Sequence, residues 1–249
     1  MTMGGIGEET GRGGRADLVS IILPSYNERD SILGIIDDIF RYVPPPVEII
    51  VVDDDSPDLT WQIVSGRADP RIRTIRRVGT RGLASAVVRG IIEAEGEIIG
   101  WMDVDMTMIP PLLPAMLSGL GEYDMVLASR YVAGGGDRRG RLRVATSRML
   151  NGLAHVVLSD AVKDFANGVV VMRRPVFDKA IPVPAGYGEY FIRFLYVCLV
   201  KGVRVKEHPY ILEDRKDGVS KSSGSFISFL GHGFHYCMAI FRARLQRID

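Results

Sequence analysis

Glu48-Ile-Ile-Val-Val-Asp-Asp-Asp-Ser-Pro57 decides how the rest of this 249-residue chain is read. Its apolar, largely β-branched run has the length of a buried strand, and it stops at three consecutive aspartates. Carboxylates crowded where a strand leaves the core repel one another, so a positive or hydrogen-bonding group belongs beside them. The pattern recurs in Glu97-Ile-Ile-Gly-Trp-Met-Asp-Val-Asp-Met106, again an apolar run ending in aspartates.

Working outward, strands are predicted over residues 18–23, 48–52, 71–76, 98–102, 124–128, 169–172 and 203–207. Helices are predicted between them. Ile32, Ile35, Ile36, Ile39 and Phe40 keep helical spacing after a cap within Asn27 to Asp30, and Pro44-Pro-Pro46 ends that helix. Further helices fall at 59–67, 83–94, 112–120, 142–158 and 190–200. Gly134-Gly-Gly136 followed by residues 137–141 reads as a mobile basic loop. Alternating strands and helices predict an α/β fold, a mostly parallel central sheet flanked by helices, with ligands beyond the strands' carboxyl ends.

Hydrophobic residues make up 47% and charged residues 24%, the balance of a globular chain with one main domain. A net charge of +1 excludes a global field for nucleic acid. Cys198 and Cys237 sit in apolar surroundings without metal-ligand spacing and are read as buried or interfacial thiols. Residues 1–17, rich in glycine and charge, are expected to be a flexible arm without a signal-peptide core. No stretch reaches the roughly 20 apolar residues of a membrane span, so a cytoplasmic body is expected.

Six motifs occur in order: Pro24-Ser-Tyr-Asn-Glu28, Val51-Val-Asp-Asp-Asp-Ser-Pro57, Arg81-Gly-Leu-Ala84, Met102-Asp-Val-Asp105, Ser129-Arg-Tyr131 and Arg215-Lys-Asp-Gly-Val-Ser-Lys221. Together they resemble the inverting family 2 glycosyltransferases of GT-A (Rossmann-like) fold, most closely the dolichyl-phosphate mannose synthases and related polyprenyl-phosphate sugar transferases. The resemblance covers residues 18–222. It implies a glycosyltransferase domain there, with residues 223–249 as a C-terminal amphipathic helix.

Asp103 and Asp105 stand two apart, so in an extended segment both point one way and Val104 the other. Two nearby carboxylates suit Mg²⁺ or Mn²⁺ bridging a diphosphate, the role of the family's Asp-x-Asp motif. An isolated pair of this kind is otherwise a solvated strand end. The resembling enzymes often carry Gln where this chain has Thr107. By resemblance, Pro24, Tyr26, Glu28, Asp53, Asp55, Gly82, Asp103 and Val104 line the nucleotide-sugar site, with Tyr26 as an aromatic surface and Asp53 toward the nucleoside. Asp54 and Asp55 shape the turn, and Asp55 departs from the usual Asn. Gly82 precedes a helix whose N-terminus favours anions, although the Gly-Lys-Ser/Thr ending of a P-loop is missing.

Arg130 is a candidate for the phosphate cradle. Arg143 and Ser147, four apart, share a helical face, and in the resembling enzymes such a pair holds the acceptor's phosphate. Arg148 either joins them or lies on a solvated basic face. Arg215 and Lys221, with Ser220, form a polar loop suited to a diphosphate leaving group, so Asp105, Arg215 and Lys221 are the catalytic candidates. Two segments depart from the family pattern, Asp164-Phe-Ala-Asn-Gly168 and Gly186-Tyr-Gly-Glu-Tyr190, leaving Asp164 and Glu189 as candidates for sugar contacts.

A phosphate monoester, with a second pKa of about 6, is already anionic near neutrality and needs no general base to attack. The expected reaction is transfer of a hexose, mannose from GDP-mannose first, to dolichyl or polyprenyl phosphate with inversion. A UDP-hexose donor such as UDP-glucose is the alternative, and a noncatalytic nucleotide-sugar-binding scaffold the alternative of another class. The lipid acceptor implies a peripheral position at the cytosolic face of a membrane. Phe226, Leu230, Phe234, Cys237, Phe241, Leu245 and Ile248 make one apolar stripe near Arg242, Arg244 and Arg247. Such a helix lies in the membrane interface, docks on the protein core, or contacts a membrane-embedded partner subunit.

Overall fold

The computed structural model describes residues 18–186, 188–213 and 226–246, with side chains of the last helix described at 233 and over 235–246. The expected N-terminal arm lies outside the described residues. So do Arg215, Ser220 and Lys221.

In chain order the elements are β1 (Val19–Ser25), α1 (Ile32–Tyr42), β2 (Val47–Asp53), α2 (Thr60–Ser65), β3 (Ile72–Arg76), α3 (Leu83–Glu93) and β4 (Ile98–Trp101). A 3₁₀ turn (Pro110–Leu112) leads into α4 (Leu113–Gly119), followed by β5 (Met125–Ser129), β6 (Gly136–Asp137) and α5 (Arg141–Val157). The remainder is β7 (Val170–Arg173), α6 (Val176–Lys179), α7 (Glu189–Val200), β8 (Val205–Pro209), β9 (Ile211–Leu212) and α8 (Phe226–Leu245).

Seven strands form one sheet in the order β3-β2-β1-β4-β7-β5-β8. All neighbours are parallel except β7, which runs antiparallel to both β4 and β5. The chain builds outward from β1 to β3 and then returns to the other side of β1 with β4. That reversal opens a ligand crevice beyond the carboxyl ends of β1 and β4.

Strand alternation divides the core between two faces. Ile22, Ile50 and Val52 face a layer that includes Val87 of α3 and Phe191, Phe194 and Leu195 of α7. Ile21, Leu23, Ile49 and Val51 face the α1 stripe of Ile32, Ile35, Ile36 and Ile39. Helix α3 lies so close to β1 that a Cβ on Gly90 would collide with Ile22 Cγ2.

Two expectations change and one open choice narrows. Residues 27–30 do not cap α1, whose N-cap is Ser31 with no side-chain cap bond. Asn27 instead takes a left-handed φ of 55°, and the Glu28 carbonyl accepts the amides of Ser31 and Ile32. The glycine-rich segment after residue 134 is an ordered ladder, because β6 pairs in parallel with β9. Finally, the described part of α8 is docked on the protein. Ile240 and Ala243 are buried against the α5/α7 layer, and Arg244 Nη1 donates to Tyr196 Oη at 2.9 Å. Phe241 and Leu245 of the expected stripe face outward.

Candidate active site

Around the ends of β1 and β2, aspartates organise the loops. Asp53 is fully buried; its Oδ2 accepts Ser25 Oγ at 2.8 Å and Ser56 Oγ at 2.6 Å, and its Oδ1 accepts the Ser56 amide at 2.8 Å. Its carboxylate therefore braces the turn, where the sequence had placed it toward the nucleoside. Serine hydroxyls and an amide, rather than a cation, relieve this charge. Asp54 binds the Arg77 fork and accepts the Gly82 amide at 2.8 Å. Arg77 also donates to Ser85 Oγ and the Gly82 carbonyl, so a buried pair holds Gly82, at φ 153°, where α3 begins.

Asp55 adopts φ 55°, which Asn and Asp tolerate best among non-glycine residues, and pairs with Arg76 Nε at 2.6 Å. Arg76 lies over the Trp61 ring at 4.1 Å. Pro24 is half-buried in register with Val52. Tyr26 carries the Arg81 guanidinium 3.5 Å from its ring centroid, so one face of the expected aromatic wall is already stacked. The Glu28 amide donates to Thr60 Oγ1 at 3.0 Å, tying this loop to α2.

Beyond β4 the chain makes a turn, closed by the Met106 amide on the Asp103 carbonyl at 3.2 Å. Although this is not the extended segment expected, the outcome is alternate: Asp103 is exposed, Asp105 partly exposed, and Val104 is 1% exposed within the core. Val104 thus turns its side chain into the core and leaves only its backbone at the turn. Burial, and then the Asp103 charge, push the Tyr190 phenol well above its ordinary range. Among the described residues no group of three or more His, Cys, Asp or Glu gathers as a closed metal cage. Two solvent-facing carboxylates fit a hard cation that completes its shell with water and substrate phosphate oxygens.

The end of β5 differs. Arg130 is buried and donates through Nε and Nη2 to both Asp164 oxygens, at 2.8 and 2.7 Å, with Asp137 Oδ2 3.5 Å from Nη1. Burial alone would lower its pKa, but the Asp164 carboxylate raises it. The guanidinium expected to cradle phosphate is engaged by two carboxylates, and Asp164, a candidate for sugar contacts, is its buried counterion. The amides of Lys163 and Asp164 donate to Glu207, and those of Phe165 and Ala166 to Asn151 Oδ1. Asn151 lies on the α5 face that carries Arg143 and Ser147, both half-buried. Tyr131 Oη donates to Ser147 Oγ at 2.8 Å, while Arg148 is exposed.

Sequence reasoning missed Arg77, Tyr131, Asn151 and Glu207 as organisers, since their partners lie up to 44 residues away or in unremarkable segments. The doublet Arg76-Arg77 directly after β3 was the available signal for the first.

A sheet reversing at β1, aspartates crowning β2 and a carboxylate turn after β4 define the GT-A class of transferase. The chain belongs to glycosyl transferase family 2, whose model matches residues 20–181. It is 31% identical over 217 residues to the polyprenol monophosphomannose synthase of Mycolicibacterium smegmatis, covering 83% of this chain and 82% of that protein. It is 30% identical over 236 residues to the dolichol-phosphate mannosyltransferase of Pyrococcus furiosus, covering 90% of this chain and 63% of that longer protein. The fold matches glucosyl-3-phosphoglycerate synthase from Mycobacterium tuberculosis, crystallised with Mn²⁺, UDP and phosphoglyceric acid, with a TM-score of 0.70 at 20% identity. That match covers 95% of this chain and 80% of the other.

Proposed function

We propose that this protein transfers a hexose, mannose from GDP-mannose, to a polyprenyl or dolichyl phosphate with inversion at the anomeric carbon. One observation carries the reading. Because β7 is antiparallel to both β4 and β5, those two strands run in the same direction, and the Asp103–Asp105 turn and the Tyr131 turn emerge at one edge of the sheet. The Arg143/Ser147 face joins that edge through Tyr131. Both named relatives act on lipid phosphates, which supports the acceptor.

In this reading Pro24, Tyr26, Glu28, Asp55 and Gly82 surround the nucleotide, and Asp103 with Asp105 would hold Mg²⁺ or Mn²⁺. When bound, that cation supplies charge neutralisation to the departing nucleoside diphosphate. Arg143 and Ser147 bind and orient the acceptor phosphate, whose own oxygen is the nucleophile. Arg215 and Lys221, outside the described residues, are assigned to the leaving diphosphate from the sequence motif. The enzyme's work is positioning and charge stabilisation, without a general base.

A membrane supplies such an acceptor. Leu142, Met149 and Val156, 60%, 64% and 83% exposed, recur every seven residues along one side of α5, with Arg141 and Arg148 exposed beside them. An apolar stripe with flanking arginines suits an anionic headgroup layer and supports the proposed peripheral position at the cytosolic face of a membrane. A membrane-embedded partner subunit would meet the same face. No described helix is long and apolar enough to cross a membrane.

The UDP-bound neighbour, alike in fold, keeps a UDP-hexose such as UDP-glucose as the second donor to test. Incubation with radiolabelled GDP-mannose or UDP-glucose, Mn²⁺ and a short polyprenyl phosphate should label the lipid fraction from GDP-mannose. Labelling from UDP-glucose alone would replace the donor, and no labelling from any nucleotide sugar would overturn the function.

A further inference from the structure

Ser129-Arg-Tyr131 leaves β5 with its arginine turned inward and its tyrosine turned toward α5. The tyrosine is held on two sides: its amide donates to Ser129 Oγ at 3.3 Å, and the ion-paired Arg130 guanidinium lies 5.1 Å from its ring centroid. From that fixed position the phenol reaches across 16 residues of sequence to Ser147 Oγ at 2.8 Å.

Neighbouring hydroxyls on α5 are used differently. Thr146 Oγ1 donates back to the Leu142 carbonyl at 2.9 Å, the usual fate of a hydroxyl inside a helix. Ser147 instead receives a phenol. A serine hydroxyl has one proton to give and two lone pairs to receive, and a phenol is the more acidic partner, so tyrosine donates and serine accepts. The serine proton then points away from the phenol. Ser147 is half-buried and shares its helical face with Arg143 one turn earlier.

We infer that Tyr131 is a positioning residue that aims the Ser147 hydroxyl at a phosphate oxygen of the acceptor. The inference rests on the proposed function. Donation into Ser147 polarises its O–H, so the chain from phenol to serine to phosphate is stronger than its links taken separately. It also gives the buried Arg130–Asp164 pair a part in acceptor binding, because that pair fixes the ring that fixes the serine. No proton changes owner in this arrangement.

The test uses the full chain with Mn²⁺, GDP-mannose and farnesyl phosphate as the acceptor probe. Tyr131→Phe removes only the hydroxyl. It should raise the acceptor KM, and the farnesyl phosphate Kd measured with GDP and Mn²⁺, about five- to tenfold, leaving the donor KM within about twofold. Ser147→Ala should do the same, and the double variant should be no worse than Ser147→Ala alone. Ser147→Thr, which restores a hydroxyl, should regain sensitivity to Tyr131→Phe. An unchanged acceptor KM in Tyr131→Phe beside a raised one in Ser147→Ala would overturn the inference alone. Multiplying effects in the double variant, or an equal rise in donor KM, would reduce Tyr131 to a packing residue and overturn it too. If Ser147→Ala leaves acceptor binding unaltered, the acceptor reading itself fails and this inference with it.

Discussion

Asp103 and Asp105 at the end of β4, and Arg130 at the end of β5, stand at the same edge of one sheet and have opposite fates. The two aspartates face solvent while the residue between them is buried, so the fold presents their charge outward. Arg130 is buried with Asp164 and Asp137, so the fold uses its charge internally. The difference is one of partner geometry. A two-residue spacing in a turn lets only the apolar member reach the core, whereas a long planar cation can be satisfied deep inside if a carboxylate arrives from elsewhere in the chain.

The largest effect should come from the outward-facing side. Asp105→Asn should lower transfer by on the order of a hundredfold or more, with a change in melting temperature far smaller than that of the Arg130 variant below. Measured kcat/KM alongside thermal unfolding checks both halves. On the inward-facing side the expectation reverses: Arg130→Met strands the buried Asp164 carboxylate and should cost about 3–5 kcal/mol of stability. If Arg130→Met melted like the wild type and lost only acceptor affinity, the contrast would collapse and Arg130 would be a phosphate ligand.

A third substitution sharpens the comparison by moving to the surface. Met149→Glu with Val156→Glu should cut co-flotation with anionic vesicles by about tenfold, while transfer to a short, soluble polyprenyl phosphate stays unchanged. The smallest effect is expected at the Asp124–Arg204 pair linking β5 to β8. Hydrogen bonding from the Arg204 guanidinium lowers the Asp124 carboxyl from its ordinary 3.8 to about 2. Its contribution is present above pH 4 and is lost as the pH falls toward 2. Asp124→Asn should melt only about 1–3 °C lower near neutrality, as befits a part-exposed pair, and that gap should close in acid.

The parallel strands were legible because uninterrupted apolar runs such as Ile49 to Val52 have few other ways to be buried. The direction of β7 was not legible, since a run such as Val169 to Met172 reads the same whichever way it lies between β4 and β5. The solvent-facing aspartates could be picked out by spacing alone, a local property. Arg130 could not, because Asp164 lies 34 residues away and nothing in the intervening sequence announces the pair. Residues 27–30 misled for a related reason: Asn27 and Glu28 have capping chemistry, but their segment is tied through its amides to Ser56 and to Thr60 of α2, contacts 29 and 32 residues away that set the course of the chain before Ser31.

In the proposed reaction the nucleophile is a phosphate oxygen held on the Arg143/Ser147 face, so no base need deprotonate it. The direct measurement offers the protein, with Mn²⁺ and radiolabelled GDP-mannose, either farnesyl phosphate or farnesol and follows label into each. The account predicts a labelled phosphodiester product from farnesyl phosphate and none from farnesol. Label transferred to the alcohol at a comparable rate would contradict it.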